Sequence, residues 1–263
     1  MLKKLSLFSK NRIKSFLACA DRDPVFGARM STVERAHGFG PDTEYFVEEP
    51  LMGDARGIVA RFYGTIYLYA DEGVDPLFAA SYLKRSPYWI ALEGRESLLS
   101  PLAKELGLPH LETSWCMTHD GKTFPDVSGY DIRKSENLPR FFEILSACHK
   151  GFGENTNYRL WFGDYAARIG SGFTELYFLY EKGDPVACAT VNVRNQNAAV
   201  IGSVSTLPAF RGKGYGRAVS AAALQSIRDA GLTAALQCSE DSLAAFYAPL
   251  GFEKTFRWMI AER

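Results

Sequence analysis

The run SVSTLPAFRGKGYGR at residues 203–217 constrains this chain more than any other stretch. It sets Gly212, Gly214 and Gly216 between a β-rich segment ending at Thr206 and a helical pattern opening near Tyr215. At a helix start several backbone N–H groups lack an intrahelical acceptor, and the helix dipole adds partial positive charge. Glycines let the backbone approach a ligand closely and adopt positive φ where needed. The combination is an anion-binding nest suited to a pyrophosphate, with Arg211, Lys213 and Arg217 available for charge-assisted contacts. Taken alone, the loop is also compatible with a tight connection that binds nothing. A dinucleotide fingerprint fits less well, because GKGYGR lacks the final small residue and does not follow the first strand of a βαβ unit. A nucleotide P-loop fits worse, because Gly214 stands where Ser or Thr must follow the lysine.

The rest of the chain alternates strands and helices. Residues 11–37 read as helices split near Asp23-Pro24, and the basic, partly apolar first twenty residues as an amphipathic helix. Lys10, Asn11, Arg12 and Lys14 interrupt any signal-peptide core. After a polar stretch, residues 58–71 form two β-rich runs hinged at Gly64. A helix around 75–85, a strand at 88–94, a helix at 95–106 and a strand at 112–119 follow. The turn-rich segment DGKTFPDVSG at 120–129 divides the chain into units 1–125 and 126–263. Beyond it the order is a strand at 130–134, helices at 137–150 and 157–169, and three strands at 174–182, 186–194 and 198–206. The glycine loop, a helix at 215–230, a strand at 233–238, a short helix at 241–248 and a strand at 252–262 complete the chain. The stretch 65–119 repeats the tail of that order without the glycine loop, which suggests a degenerate duplication.

The pattern of Arg211, Gly214 and Gly216, with Pro208 three residues earlier, resembles the acetyl-CoA signature of the GNAT superfamily of N-acyltransferases. Thr206 stands where the common form has valine. Phe246-Tyr247-Ala248-Pro249-Leu250-Gly251-Phe252 resembles the second signature of that family, L/F-Y-x-x-L-G-F. The resemblance covers about residues 128–263. It implies an α/β (α+β) GNAT fold, a mixed and mostly antiparallel sheet flanked by helices, duplicated in a degenerate first half.

It further implies acetyl-CoA as cosubstrate, with no metal. A strand splayed from its neighbour offers the backbone of Val204, Ser205 and Thr206 to the pantetheine arm. The loop Arg211, Gly212, Lys213, Gly214, Tyr215, Gly216 and Arg217 holds the pyrophosphate. Tyr247 matches the tyrosine that protonates the departing thiolate, a general acid placed at the sulfur. Glu240 replaces a frequent asparagine seven residues earlier, leaving Ser239 or Asp241 to cap the short helix. Glu175, at the start of a central strand, is the candidate base for the attacking amine, and an exposed or salt-bridged strand residue is the ordinary alternative. His149 reads as a helix C-terminal residue. Attack is expected directly from the acceptor amine, without a covalent enzyme intermediate. A resemblance to glycine N-acyltransferase-like proteins leaves a longer acyl donor open, and a non-catalytic acyl-CoA sensor is the alternative to an enzyme.

Composition narrows the partners. Thirty basic residues balance thirty acidic ones, so no net field draws the chain to nucleic acid or an anionic membrane. The five cysteines are scattered without a CxxC, and Cys116 with His119 is too sparse for a structural zinc. Reduced thiols suit a cytoplasmic protein. A small-molecule or peptide amine is the expected acceptor, and the oligomeric state is not encoded legibly.

Overall fold

Segments rich in β-branched and aromatic residues recur along the chain, and in the computed structural model all described strands join one sheet. The structure describes residues 2–49 and 54–263; Met1, the first residue of the expected N-terminal helix, lies outside them. The first half contributes β1 (Leu2–Lys4), α1 (Lys10–Ala20), α2 (Phe26–His37), β2 (Thr43–Glu48), β3 (Gly57–Phe62) and β4 (Thr65–Ala70). A 3-10 turn (Pro76–Ala79), α3 (Ala80–Arg85), β5 (Ala91–Arg95), α4 (Glu96–Leu106) and β6 (His110–His119) complete it. The second half opens with β7 (Asp131–Ser135), α5 (Leu138–Cys148), α6 (Phe152–Asn155), α7 (Tyr158–Gly170) and β8 (Glu175–Glu181). It continues with β9 (Asp184–Arg194), β10 (Ala198–Thr206), α8 (Tyr215–Asp229), β11 (Thr233–Gln237), α9 (Asp241–Tyr247) and β12 (Phe252–Glu262).

The strand order is β1-β2-β3-β4-β5-β12-β6-β11-β10-β9-β8-β7. Replacing each strand by its counterpart in the other half (β1 by β7, and so on to β6 by β12) and reading backwards returns the same order. The sheet is therefore a duplicated unit in which each half inserts its last strand into the other. β12 lies between β5 and β6, and β6 lies between β12 and β11. The β6–β12 ladder runs antiparallel from Phe252↔His119 to Glu262↔His110, with one irregularity between Lys254 and Phe256.

Two first-half elements differ from the sequence expectation. Residues 2–4 are a strand, paired antiparallel with Phe46–Glu48, and helix starts only at Lys10. β2 itself lay hidden in the stretch read as polar. Its alternation is masked by Glu44 and Glu48, yet Tyr45 and Val47 are fully buried. Glu44 is tolerated there because Arg61 Nε donates to it at 2.9 Å and Tyr82 Oη at 3.0 Å. The expected side-chain cap on α9 is also missing: Glu240 is the N-cap residue without a capping hydrogen bond, and Asp241 pairs with Lys254 at 2.5 Å.

Helix α2 binds the halves together. Phe26, Ala28, Met30 and Val33 pack in one cluster with Val193, Val200 and Ala235 of the second half. The fully buried Asp23 pins the turn before it, its Oδ1 accepting from the backbone N–H of Val25 (2.9 Å) and Phe26 (2.6 Å). Arg95 closes on Asp23 Oδ2 at 2.7 Å, compensating the buried charge. From the second half, Asn195 Nδ2 donates to Ala20 O (2.9 Å) and Asp23 O (3.1 Å). Gly27 is required beside this turn, since a Cβ there would stand 1.9 Å from Ala20 O.

Strand exchange predicts mutual dependence of the halves. Residues 1–125 expressed alone leave both edges flanking the β12 position unpaired, and are expected to aggregate. Co-expressed with 126–263 they are expected to form a soluble one-to-one complex, read by co-elution and far-UV circular dichroism. Two separately soluble, monomeric and folded halves would contradict the exchange.

Candidate active site

The site begins where two parallel strands part. β10 and β11 pair from Ala198↔Thr233 to Ile201↔Leu236 and no further. Gln237 is already paired with Cys116 of β6, and the Cys238 N–H donates to Trp115 O at 2.8 Å. The inserted strand thus holds the end of β11 away, while β10 continues against β9 as far as Thr206↔Ala187. A bulge sits at the point of divergence: the β9–β10 register shifts between Gly202 and Ser205, and Ser203 has φ 51°. Ser203 Oγ lies 3.1 Å from Tyr165 Oη, and Thr190 Oγ1 donates to Gly202 O at 3.0 Å. These contacts hold a backbone conformation that is uncommon outside glycine.

A cavity of about 620 Å³ occupies the opening. Val204, Ser205 and Thr206 form one wall, and Arg211, Gly212, Gly214, Gly216 and Arg217 form one end. Phe246 and Tyr247 of α9 close another side, and Cys148 and His149 at the end of α5 face the gap. Gly214 is the N-cap of α8 with φ 80°, a conformation costly for any residue with a Cβ. The first-turn N–H groups of α8 are therefore presented beside the cavity with no capping side chain. At Gly216 even a methyl group would press on Phe246 Cζ (3.3 Å) and Thr206 Oγ1 (3.4 Å).

The sequence-derived site residues separate into three groups. The structure brings together Val204, Ser205, Thr206, Arg211, Gly212, Gly214, Tyr215, Gly216, Arg217 and Tyr247 around this cavity. Lys213 turns away: its ammonium lies 3.2 Å from both oxygens of Glu181, which also accepts from Tyr215 Oη at 2.6 Å. Glu175 does not line the cavity. Burial opposes its charge, but hydrogen bonds from Ser226, Tyr177, Arg194 and Lys134 outweigh burial and pull its carboxyl down to about 2. Ser226 Oγ and Tyr177 Oη each donate to Oε2 at 2.6 Å, while Arg194 (3.0 Å) and Lys134 (3.1 Å) hold Oε1. Such a carboxylate is a poor proton acceptor and its lone pairs are engaged, so it is a structural clamp between β8, α8 and β9.

Tyr247 is 8% exposed, and burial pushes its phenol well above the ordinary tyrosine range. It stays protonated at neutral pH, as an acid must. Sequence reasoning missed His149, read there only as a helix end. Its Nε2 lies 2.9 Å from Ser205 Oγ, on the same cavity wall as Val204. The signal was weak because the partner lies fifty-six positions away in the chain.

The matching place in the first half is closed. Its β4–β5 pairing ends at Tyr67↔Glu93, but Gly94 stays so close that a Cβ on it would lie 2.9 Å from Leu68 O. The loop that follows β4 carries Asp71, Glu72 and Asp75, and Asp75 Oδ1 accepts from the Leu77 N–H at 2.9 Å. This loop carries one glycine, Gly73, where the second-half loop has three, and Arg22 is engaged with Asp71.

Among the described residues no group of three or more potential metal ligands is present, and no helix is long and apolar enough to cross a membrane. Of the two residues weighed for zinc, Cys116 is buried in β6, and His119 Nε2 lies 2.7 Å from Thr123 O.

A divided parallel pair, a bulged strand and a glycine loop at a helix start define a class, the CoA-dependent acyltransferases of GNAT type. Residues 138–252 match the model of the acetyltransferase (GNAT) family. This part of the chain is a GNAT acetyltransferase domain, the first half has a GNAT-like fold, and the protein is an acyltransferase. No curated protein matches the chain. Among solved structures it is similar to a tandem GNAT protein of the clavulanic acid biosynthesis pathway, at 15% identity and a TM-score of 0.64, covering 100% of this chain and 98% of that one. A GCN5-related N-acetyltransferase from Kribbella flavida shares 16% identity with a TM-score of 0.64, over 92% and 95% of the two chains. A GNAT-family acetyltransferase from Colwellia psychrerythraea shares 17% with a TM-score of 0.62, over 100% and 99%. At these identities the similarity speaks for the fold.

Two outcomes follow from this geometry. Coenzyme A is expected to raise the melting temperature of the protein, and ATP or NAD to leave it unchanged. Gly214→Glu, which adds strain and a like charge beside the phosphates, should abolish the shift while circular dichroism stays native; a full shift in that variant would remove the loop from the site. For Glu175, the folded-state pKa lies below the ordinary 4.5. Its contribution to stability is thus complete above about pH 4.5 and is lost as pH falls towards about 2. Glu175→Gln is expected to be less stable at pH 7 and to show a flatter stability profile across that window in urea titrations, with turnover of the folded enzyme preserved. Loss of turnover with unchanged stability would restore Glu175 as the base.

Proposed function

We propose that this protein transfers an acetyl group from acetyl-CoA to the primary amine of a small molecule or peptide, by direct attack of the amine on the thioester. One observation carries this reading: a single cavity runs from the N-terminus of α8, along the unpaired edge of β10, to the buried phenol of Tyr247. Its two ends suit the two ends of the donor. The N–H groups and dipole of α8, with Arg211 and Arg217, favour the pyrophosphate. Val204 and Thr206 offer main-chain groups on the side where β11 has left, so the pantetheine arm takes the place of a missing strand.

The chemistry then follows from position. Main-chain N–H groups at the bulge polarise the thioester carbonyl and stabilise the oxyanion that forms on attack. As the tetrahedral intermediate collapses, the C–S bond breaks and Tyr247 gives its proton to the leaving sulfur. Lys213 contributes through Glu181, holding the loop, and not through the phosphates. The first half packs α2 against Val193, Val200 and Ala235 of the second, and the division into units 1–125 and 126–263 falls in the turn-rich 120–129 segment.

Tyr247→Phe tests the assignment. With acetyl-CoA and a panel of amines, acceptor-dependent release of free CoA should fall about 10²-fold or more in kcat. The dissociation constant for CoA should remain within about threefold, since the ring is kept and the binding groups are main chain. Unchanged turnover would eliminate Tyr247 as the acid. Tight CoA binding without turnover on any amine, in the unmodified protein, would favour a sensor over an enzyme.

A further inference from the structure

We propose that His149 is the general base of the transfer, taking a proton from the acceptor ammonium at Nε2, with Ser205 as the residue that positions its ring until the acceptor displaces it. This rests on the acetyl-transfer reading above and adds the half of the proton chemistry that Glu175 cannot supply.

The imidazole stands at the C-terminal end of α5, is exposed to solvent, and lines the same cavity as Val204, Ser205 and Tyr247. Its Nε2 is 2.9 Å from Ser205 Oγ. Ser205 is itself 5% exposed and lies where β10 pairs with β9 alone, past its last β11 partner, so the ring is tethered to the strand proposed to carry the thioester. The tether matters because α5 ends here: the chain turns through Lys150 and Gly151, the latter with φ 79°, into the short helix α6.

The other lining groups are unsuited to the task. Among the described residues no carboxylate lines the cavity. Cys148, next to His149, is pushed up by burial and stays a thiol. Tyr247 is held protonated by burial, and Tyr215 by its bond to Glu181. Arg211 and Arg217 are permanent cations. The charged and titratable groups that line the cavity with the imidazole are Cys148 beside it, Arg211 of the loop, Tyr215 and Arg217 of α8 and Tyr247 of α9, and Lys150 follows it in the chain. An imidazole is the one group of this set that exchanges a proton near neutral pH.

The step balances as follows. An acceptor ammonium entering beside β10 replaces Ser205 Oγ at Nε2 and gives that nitrogen a proton, becoming a neutral amine. The amine lone pair attacks the thioester carbon, and the C–O π pair moves to oxygen. Collapse of the intermediate re-forms the carbonyl and breaks the C–S bond; sulfur takes its proton from Tyr247, and the second proton of nitrogen returns to the phenolate through solvent. The imidazolium releases its proton to water, so one proton leaves per ammonium acylated, and no oxidant or metal is needed.

His149→Gln keeps a polar group near Ser205 and removes titration. With acetyl-CoA and an amine that the unmodified protein acylates, kcat is expected to fall at least about 10²-fold. The acidic limb of the pH–kcat profile should disappear, while the CoA dissociation constant stays within about threefold. Ser205→Ala, which frees the ring without removing it, should lower kcat by a smaller factor and keep the acidic limb. An unaltered kcat and pH profile in His149→Gln would overturn the assignment, as would an acyl group found on Ser205 by mass spectrometry after reaction without acceptor, since the pair would then be a nucleophile and its base. If the unmodified protein acylates no amine, the function proposed above has failed and not the base; loss of CoA binding in His149→Gln would assign the ring to the cofactor and likewise overturn the proposal.

Discussion

The insertion of β6 and β12 each into the other half is the constraint on which the rest of the structure depends. A β-strand has two hydrogen-bonding edges, and in this sheet the partner on one edge decides what happens on the other. Because β6 of the first half captures Gln237 and Cys238, β11 is drawn away from β10 once Leu236 is passed. The gap that opens is the site. The same ladder makes the halves inseparable, since neither contains the strand that completes its own sheet. A first half with no competent loop of its own is thus retained for a structural reason: it supplies the strand that keeps the second half's gap open.

Within the gap, the recognition of the donor proposed above rests on main chain with Arg211 and Arg217, and the proposed chemistry on other side chains. Backbone groups along Val204–Thr206 and at the start of α8 are presented by secondary structure, and glycines at 212, 214 and 216 keep the approach clear. Side chains then set the protons. Tyr247 is kept neutral by burial, and His149 is kept in place by Ser205. The first half differs at the matching place: Gly94 lets β4 and β5 stay close, and the loop after β4 carries Asp71, Glu72 and Asp75 with a single glycine.

Much of this was legible in the residue order because its causes are local. A glycine run after a strand and before a helix declares its anion nest without any distant contact, and the FYAPLGF motif carries both an aromatic pair and the αL turn at Gly251 within seven residues. β2 was not legible, because the burial of Tyr45 and Val47 is obscured by Glu44 and Glu48, and the partners of Glu44, Arg61 and Tyr82, come from other elements. The roles of charged residues were misread for the same reason. Lys213 looked like a phosphate ligand until Glu181 appeared beside it, and Glu175 looked like a base until four donors were found on its oxygens.

By itself, then, the sequence determined the fold class, the two-part order of elements, the glycine loop at the start of a helix and the tyrosine that shares its cavity, all of which arise from periodicity, backbone freedom and short spacings. Only the tertiary structure decided that the two parts share one sheet by exchanging strands, that β10 and β11 part at Leu236, and that His149 meets Ser205 while Glu175 is locked away from the cavity. Those outcomes depend on which strand edge and which counter-charge arrive from far along the chain, and hydrogen-bond partners of that kind leave no periodic trace in the order of residues.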